Sequence, residues 1–390
     1  MRKPTSIMRF AIAALSVAVF IPAGISAPAQ AAGDIKIGVI TTTSGPLKSY
    51  GDAYYDGLQW GLKYFTGGKM TVKGSKLVIT KKDDGLDPAS ATASFKEMVG
   101  NGTKIIVGTV GSGVALTLGP LAAQNKVLYI SGPAKNDAVT SSANKFVFRS
   151  GNTSLQDVAP LAGVKPIKNK KVIVFVEDNA FGAGNIFAAT KFLTPFGANI
   201  QSIKVSTTAT DFTPFAKQAA DAKGDYIFIA WSNAVTAGGM LVSLKQQGVF
   251  TTARPITGLA GVASYDSYGA IFAGTKVILT NSYFPGVVPN KMASQLASDY
   301  AAAGISQDLF TDAGVNAAQM ILRALNKNPN IDVQTAISNL EGWSFSGLKG
   351  LVQVRSEDHV LIMPMFLTSL VKNGDHYQPV LVKTLRNVAP

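Results

Sequence analysis

The 390-residue sequence has no cysteine. That excludes disulfides, thiolate catalysis, cysteine-ligated metals and a lipid-bearing cysteine at the head of a processed chain. Histidine is nearly absent too: His359 and His376 are the only two, both late in the chain. Ser-His catalysis and a histidine metal site therefore lack their residues. No G-x-S-x-G elbow, P-loop or H-E-x-x-H is present. Charged residues make up only 15%, with 23 acids against 36 bases. Beyond the first residues there is no apolar run long enough to span a membrane.

What is present is a globular composition with 47% hydrophobic residues and a length suited to two domains. The chain opens with Arg2, Lys3 and Arg9, an apolar stretch over 10–25, and small residues at Ala27-Pro28-Ala29-Gln30-Ala31. This reads as a secretory signal peptide over 1–31, cut after Ala31. Its three basic residues take the formal charge from +13 to +10 when removed. The remaining lysines are scattered apart from small clusters such as Lys168-Lys170-Lys171. They read as solvated faces, and no nucleic-acid partner is expected.

From residue 35 short β-rich runs alternate with amphipathic helical patterns. Strands are expected at 35–41, 76–80, 105–110, 127–130 and 146–149. In the first helical segment Tyr54, Leu58, Leu62 and Phe65 share one face. Asp87-Pro88 is a cap followed by a first-turn proline. The pattern restarts with strands at 171–176, 200–205, 226–231, 254–257 and 276–280. After further helices at 292–303 and 313–325, the tail is strand-like at 351–354, 361–371 and 377–382, with Asn373-Gly374 as a hairpin turn. The seam between the two units lies near 150–153. Alternation of this kind predicts an α/β fold with parallel sheets wrapped by helices.

In open parallel sheets, ligands bind beyond the carboxyl ends of the strands. In the first unit those turns carry Ser44-Gly45, Gly111-Ser112-Gly113 and Pro133-Ala134; in the second, Phe181, Trp231 and Ala260. The stretch 41–46 is expected to be a cleft lip, leading to Tyr50. Gly113 with Ser112 at a helix start would suit a carboxylate, because free N–H groups point outward there. Ser112 reads more readily as a routine cap, and Trp231 equally as core. Tyr54 reads as packing. The acidic pairs Asp83-Asp84 and Glu177-Asp178 alternate across a strand, with solvated edges as the default.

At these loops the sequence resembles type I periplasmic binding proteins of the leucine/isoleucine/valine type, which serve ABC importers. The matching stretches are "IKIGVITTTSGPLKSYGD", "DDGLDPASA", "IIVGTVGSGVAL", "LYISGPAKNDAVT" and "VEDNAFGAG", in order along the chain. The resemblance implies two Rossmann-like lobes joined by a three-strand hinge, a small-molecule ligand between them, a periplasmic monomer, and a membrane permease as partner. It is not that of an enzyme, and no cofactor or metal is implied. Lobe 1 would comprise 32–150 plus 281–363 and lobe 2 would comprise 151–280 plus 364–390, with crossings near Ser150, Asn281 and Met363. It implies ligand contacts at Ser112, Ala134, Lys135, Phe181 and Trp231; the reading of the strand-end turns adds Ser44, Tyr50, Gly113 and Ala260 as expected contacts.

Two departures bear on the ligand. Where amino-acid binders of the family place an acid to meet the ligand ammonium, this chain has Gly258-Leu259-Ala260-Gly261. Where a threonine is expected, it has Lys135. Losing an anion and gaining a cation favours a carboxylate without an ammonium, aromatic or short aliphatic. Asp266, a few residues on, would restore the amino-acid reading if the alignment shifted. A branched-chain or other neutral amino acid, and ligand sensing with a membrane receptor, remain as alternatives.

Overall fold

The computed structural model describes residues 33–163, 167–330 and 332–389, together with Met1. The expected signal peptide, apart from Met1, lies outside the described residues.

The first half runs β1 (Ile35–Thr41), α1 (Lys48–Phe65), β2 (Thr71–Val72), β3 (Ser75–Asp83), α2 (Pro88–Gly100), β4 (Ile105–Gly108), α3 (Ser112–Asn125), β5 (Leu128–Ser131) and β6 (Val147–Arg149). Its six strands are ordered β2-β3-β1-β4-β5-β6 and are parallel except for the β2–β3 pair. Central strands such as β4 are buried on both faces, which is why they spell continuous apolar runs. Asp87 caps α2 as its sequence suggests, accepting from the N–H groups of Ala89 and Ser90.

The second half follows with α4 (Ser154–Val158), β7 (Lys171–Glu177), α5 (Ala180–Leu193), β8 (Asn199–Val205), α6 (Thr213–Asp221), β9 (Tyr226–Ala230), α7 (Ala234–Gln246), α8 (Val249–Thr252), β10 (Arg254–Gly258), α9 (Tyr265–Phe272) and β11 (Ile278–Asn281). The chain closes with α10 (Lys291–Ala303), α11 (Thr311–Leu325), α12 (Val333–Leu340), β12 (Ser344–Gly347), β13 (Gly350–Val354), β14 (Leu361–Asn373) and β15 (His376–Val388). The second sheet is ordered β12-β13-β14-β11-β10-β9-β7-β8, with β15 on the free side of β14. β7 to β11 are parallel, and β14 runs antiparallel to β11. The tail hairpin is longer than the sequence pattern indicates. β15 is largely exposed, so no burial pattern marks its full extent.

The late segment returns to the first half. Leu309, Phe310 and the buried face of α11 join Tyr54, Leu58 and Leu62 in one core, together with Met363 and Met365 of β14. α1 and α11 cross with their backbones in contact: a Cβ built on Gly314 would lie 2.0 Å from the carbonyl oxygen of Tyr54, and one on Gly57 would lie 2.2 Å from that of Thr311. Gly314→Val is therefore expected to destabilise the fold by about 2–3 kcal/mol, since neither helix can yield without opening the core. Urea unfolding reads this, and a wild-type midpoint would contradict it.

Candidate functional site

The carboxyl ends of the parallel strands of both sheets meet at a cavity of about 450 Å³. Tyr50, Ser112, Gly113 and Lys135 line it from the first half, and Phe181, Trp231 and Ala260 from the second. Two of the expected residues are not on its wall. Ser44 is exposed and its side chain bonds Asp83 instead. Around it Thr43 N–H also goes to Asp83 and Thr42 Oγ1 to Asp84, so the lip is made by Pro46 and Leu47 rather than by the hydroxyls before them. Ala134 is buried in the core beside α3. Its carbonyl accepts from Arg149 Nη1 and its N–H donates to Thr109 O, so its backbone has no donor left for a carboxylate.

Of the helices that begin at the cavity, α3, α5 and α7 directly follow strand ends, and these three differ at their caps, while α1, α9 and α11 start there with no side-chain cap. α5 is capped by Asn179, which accepts from Gly182 N–H. α7 is capped by Asn233, which accepts from Val235 and Thr236 N–H. α3 is preceded by Gly111 and has no side-chain cap. Ser112 Oγ accepts from Asn136 N–H at 3.3 Å. Among the described residues that hydroxyl donates to nothing, so its hydrogen is free. The start of α3 thus presents uncapped N–H groups and one spare O–H in a setting that favours negative charge.

Charge at the wall is mostly self-neutralised. Lys135 Nζ pairs with Asp157 at 2.8 Å, both side chains largely buried. Asp157 also accepts from Asn152 Nδ2. Glu177, the last residue of β7, is 3% exposed. It accepts from the hydroxyl of Ser232 and from the N–H groups of Ser232 and Asn233. The solvated edge expected for the acidic pairs therefore holds for Asp83 and Asp178, while their neighbours Asp84 and Glu177 are buried. Asp308 spans the two halves by accepting from Val262 N–H at 3.1 Å; burial raises its pKa above the usual carboxylate value. Asp266 is elsewhere, exposed and bonded to His376 and Tyr377 N–H.

The aromatic wall is fixed from behind. Trp231 lies edge-on to Phe212 at 5.6 Å and over Phe175 at 6.1 Å, and its Nε1 donates to Thr236 Oγ1. It is both core and wall. Tyr50 is edge-on to Phe310 at 5.2 Å. Tyr54 is fully buried packing. Sequence reasoning did not find Phe310, Tyr268, Asp157 or Glu177 on the wall. Only Glu177 carried a signal, its place at the carboxyl end of a parallel strand.

Among the described residues no group of three His, Asp or Glu side chains is placed to hold a metal. His359 is buried, stacked on Phe148 at 3.8 Å, with Nδ1 at Val147 O. No helix of the described residues is long and apolar enough to cross a membrane.

Comparison with known proteins agrees with this architecture. The family profile described as periplasmic binding protein matches residues 34–375. The chain is 26% identical to Leu/Ile/Val-binding protein homolog 3 of Brucella melitensis over 311 residues, 78% of this chain and 82% of that one. It superposes on an ABC-type branched-chain amino acid transporter from Rhodopseudomonas palustris with a TM-score of 0.75 and 27% identity, covering 91% of this chain and 97% of the other. An R. palustris ABC transporter solute-binding protein in complex with 4-hydroxybenzoate shares the fold at a TM-score of 0.80 and 19% identity, covering 91% and 97%.

Proposed function

The chain belongs to the periplasmic binding protein family, and on that premise we propose that it captures a small organic carboxylate, aromatic by preference, for the membrane permease of an ABC importer. It is a solute-binding protein and not an enzyme, like its relatives and structural neighbours, and its family is exported to the periplasm. The finer reading is an export signal cut after Ala31 and a monomer that presents the closed, loaded form to its permease.

The observation that carries the ligand reading is the uncapped start of α3 with the spare hydroxyl of Ser112, on the wall of a cavity that Phe181 and Trp231 also line. Donors on the wall suit a carboxylate; the rings that share it suit an apolar or aromatic body. The loop 258–261 supplies no acid for an ammonium, and the acids that do reach the wall already hold donors of their own. Lobe 1 would be 32–150 with 281–363 and lobe 2 would be 151–280 with 364–390. The proposed crossings are tied by Asn316 Nδ2 to Ser150 O at 3.1 Å and by Asn281 Nδ2 to Thr368 Oγ1 at 3.0 Å. Asn136 Nδ2 to Ala180 O at 2.6 Å and Val262 N–H to Asp308 would latch the lobes over the solute. Differential affinity for this closed arrangement is what drives closure.

Ser112→Ala is expected to weaken binding by about 1–3 kcal/mol, the cost of leaving a buried carboxylate one donor short. Calorimetric titration measures it, and unchanged affinity would rule out the assignment. A second reading, a branched-chain amino acid, draws support from Glu177 and Asp157 on the wall and from what the relatives bind by name. On ligand-stripped protein, a large melting shift with leucine and none with benzoate would select it. Saturation at about a hundred times Kd contributes about 2.7 kcal/mol, ample to see. Native mass spectrometry of the protein as isolated would identify a co-purified solute directly.

A further inference from the structure

Two phenols lie on the cavity wall with nothing to bond. Tyr50 comes from α1 and Tyr268 from α9, so they approach from opposite halves. Among the described residues neither hydroxyl has a hydrogen-bond partner. Tyr283 donates to Gln307 at 2.7 Å and Tyr55 accepts from Gln59 at 2.6 Å. Tyr54, Tyr129, Tyr265 and Tyr300 also lack a partner among the described residues, but they are buried and none of them lines the cavity. Both rings on the wall are fixed, Tyr50 against Phe310 at 5.2 Å and Tyr268 against Phe272 at 5.8 Å. The hydroxyls are therefore held in place rather than free to turn away. Burial pushes the Tyr268 phenol up to about 12 and raises that of Tyr50 further, with Tyr268, Asp308 and Glu177 adding to the burial effect. Both stay protonated, and so remain donors, at neutral pH.

We propose that Tyr50 and Tyr268 together hold a hydroxyl group of the solute, remote from its carboxylate, which makes the solute a hydroxylated aromatic acid. This rests on the carboxylate reading above. The two polar ends belong to different strand ends: Ser112 follows β4, whereas Tyr50 follows β1 and Tyr268 follows β10. A solute that meets Ser112 with its carboxylate and the phenols with a second group carries polar groups at separate points of its ring. Without a solute, the phenols would bond to water. An unsubstituted aromatic acid would displace that water and leave two buried donors unpaired, which is costly. A hydroxyl both accepts and donates, so one group can serve both phenols. Sites built this way reject the analogue lacking the hydroxyl more strongly than an apolar pocket rejects a missing methylene.

The test is titration of ligand-stripped full-length protein with benzoate, 3-hydroxybenzoate, 4-hydroxybenzoate and leucine. Wild type is expected to bind one of the hydroxybenzoates at least about tenfold tighter than benzoate. Tyr268→Phe keeps the ring and removes the hydroxyl. It is expected to weaken the hydroxybenzoate and tighten benzoate, bringing the two within about twofold of each other. A residue that only props the fold would weaken both alike. Equal wild-type affinities for benzoate and both hydroxybenzoates would overturn the inference while leaving the carboxylate reading standing. So would a preference that survives in Tyr268→Phe. Binding of leucine with no binding of any aromatic acid would overturn the carboxylate reading and this inference with it.

Discussion

Arg149→Met is expected to cost about 3–5 kcal/mol of stability and to abolish tight solute binding. Arg149 is the last residue of β6 and is 0% exposed. Burial pulls its pKa down to about 10, so it remains a cation at neutral pH. Its guanidinium holds four acceptors: Thr140 Oγ1 at 3.1 Å, Ala134 O at 3.1 Å, Asn136 O at 2.9 Å and Asn152 O at 3.4 Å. Methionine leaves all four buried without a donor, and each is costly to strand. The same bonds shape the turn that carries Lys135 and brings Asn136 N–H to Ser112. Fold and site should therefore fail together. Arg149→Lys, a point charge with three donors and no fork, should recover only part of the loss. Denaturant unfolding and calorimetry read the two effects, and a wild-type midpoint with full affinity would refute the argument.

The second large effect concerns a buried ion pair far from any solvent. Lys349 Nζ lies 2.7 Å from Asp312 Oδ2, with side chains 1% and 2% exposed. Neither atom has a further hydrogen-bond partner among the described residues. Lys349→Met alone strands the carboxylate in the core and is expected to cost about 3–5 kcal/mol. The double substitution Asp312→Leu with Lys349→Met removes both charges and should regain most of that loss, or exceed wild type. If the double variant is as unstable as the single one, the ion pair is not the cause.

The parts of the fold that could be read in advance share one property. Strands buried on both faces, such as KVIVFVE at β7 and YIFIA at β9, announce themselves as apolar runs, and the turns beyond them follow at once. Ser112, Phe181 and Trp231 were visible for that reason. Phe310 was not, because it stands before α11, far from any strand end, and reaches the cavity only through the packing of α11 on α1. Tyr268 was hidden inside α9, beyond the loop that the strand end marks. Glu177 was visible but misjudged. A carboxylate at a strand end reads as solvated until Ser232 and Asn233 are seen to donate to it. Ser44 failed in the opposite direction: its hydroxyl sits in a suitable turn but faces outward to Asp83.

The return of α11 to the first half bears on how the protein is made. The first sheet has emerged from the ribosome by Arg149, but its core is not closed until residues 309–325 and 361–365 arrive. For most of its synthesis the nascent chain lacks the helix and strand that complete this core, so its apolar surface is covered late. A delay of this kind suits the export to the periplasm that characterises the family. Here it is written into the order of the elements along the chain, with the covering helix held back to the last quarter.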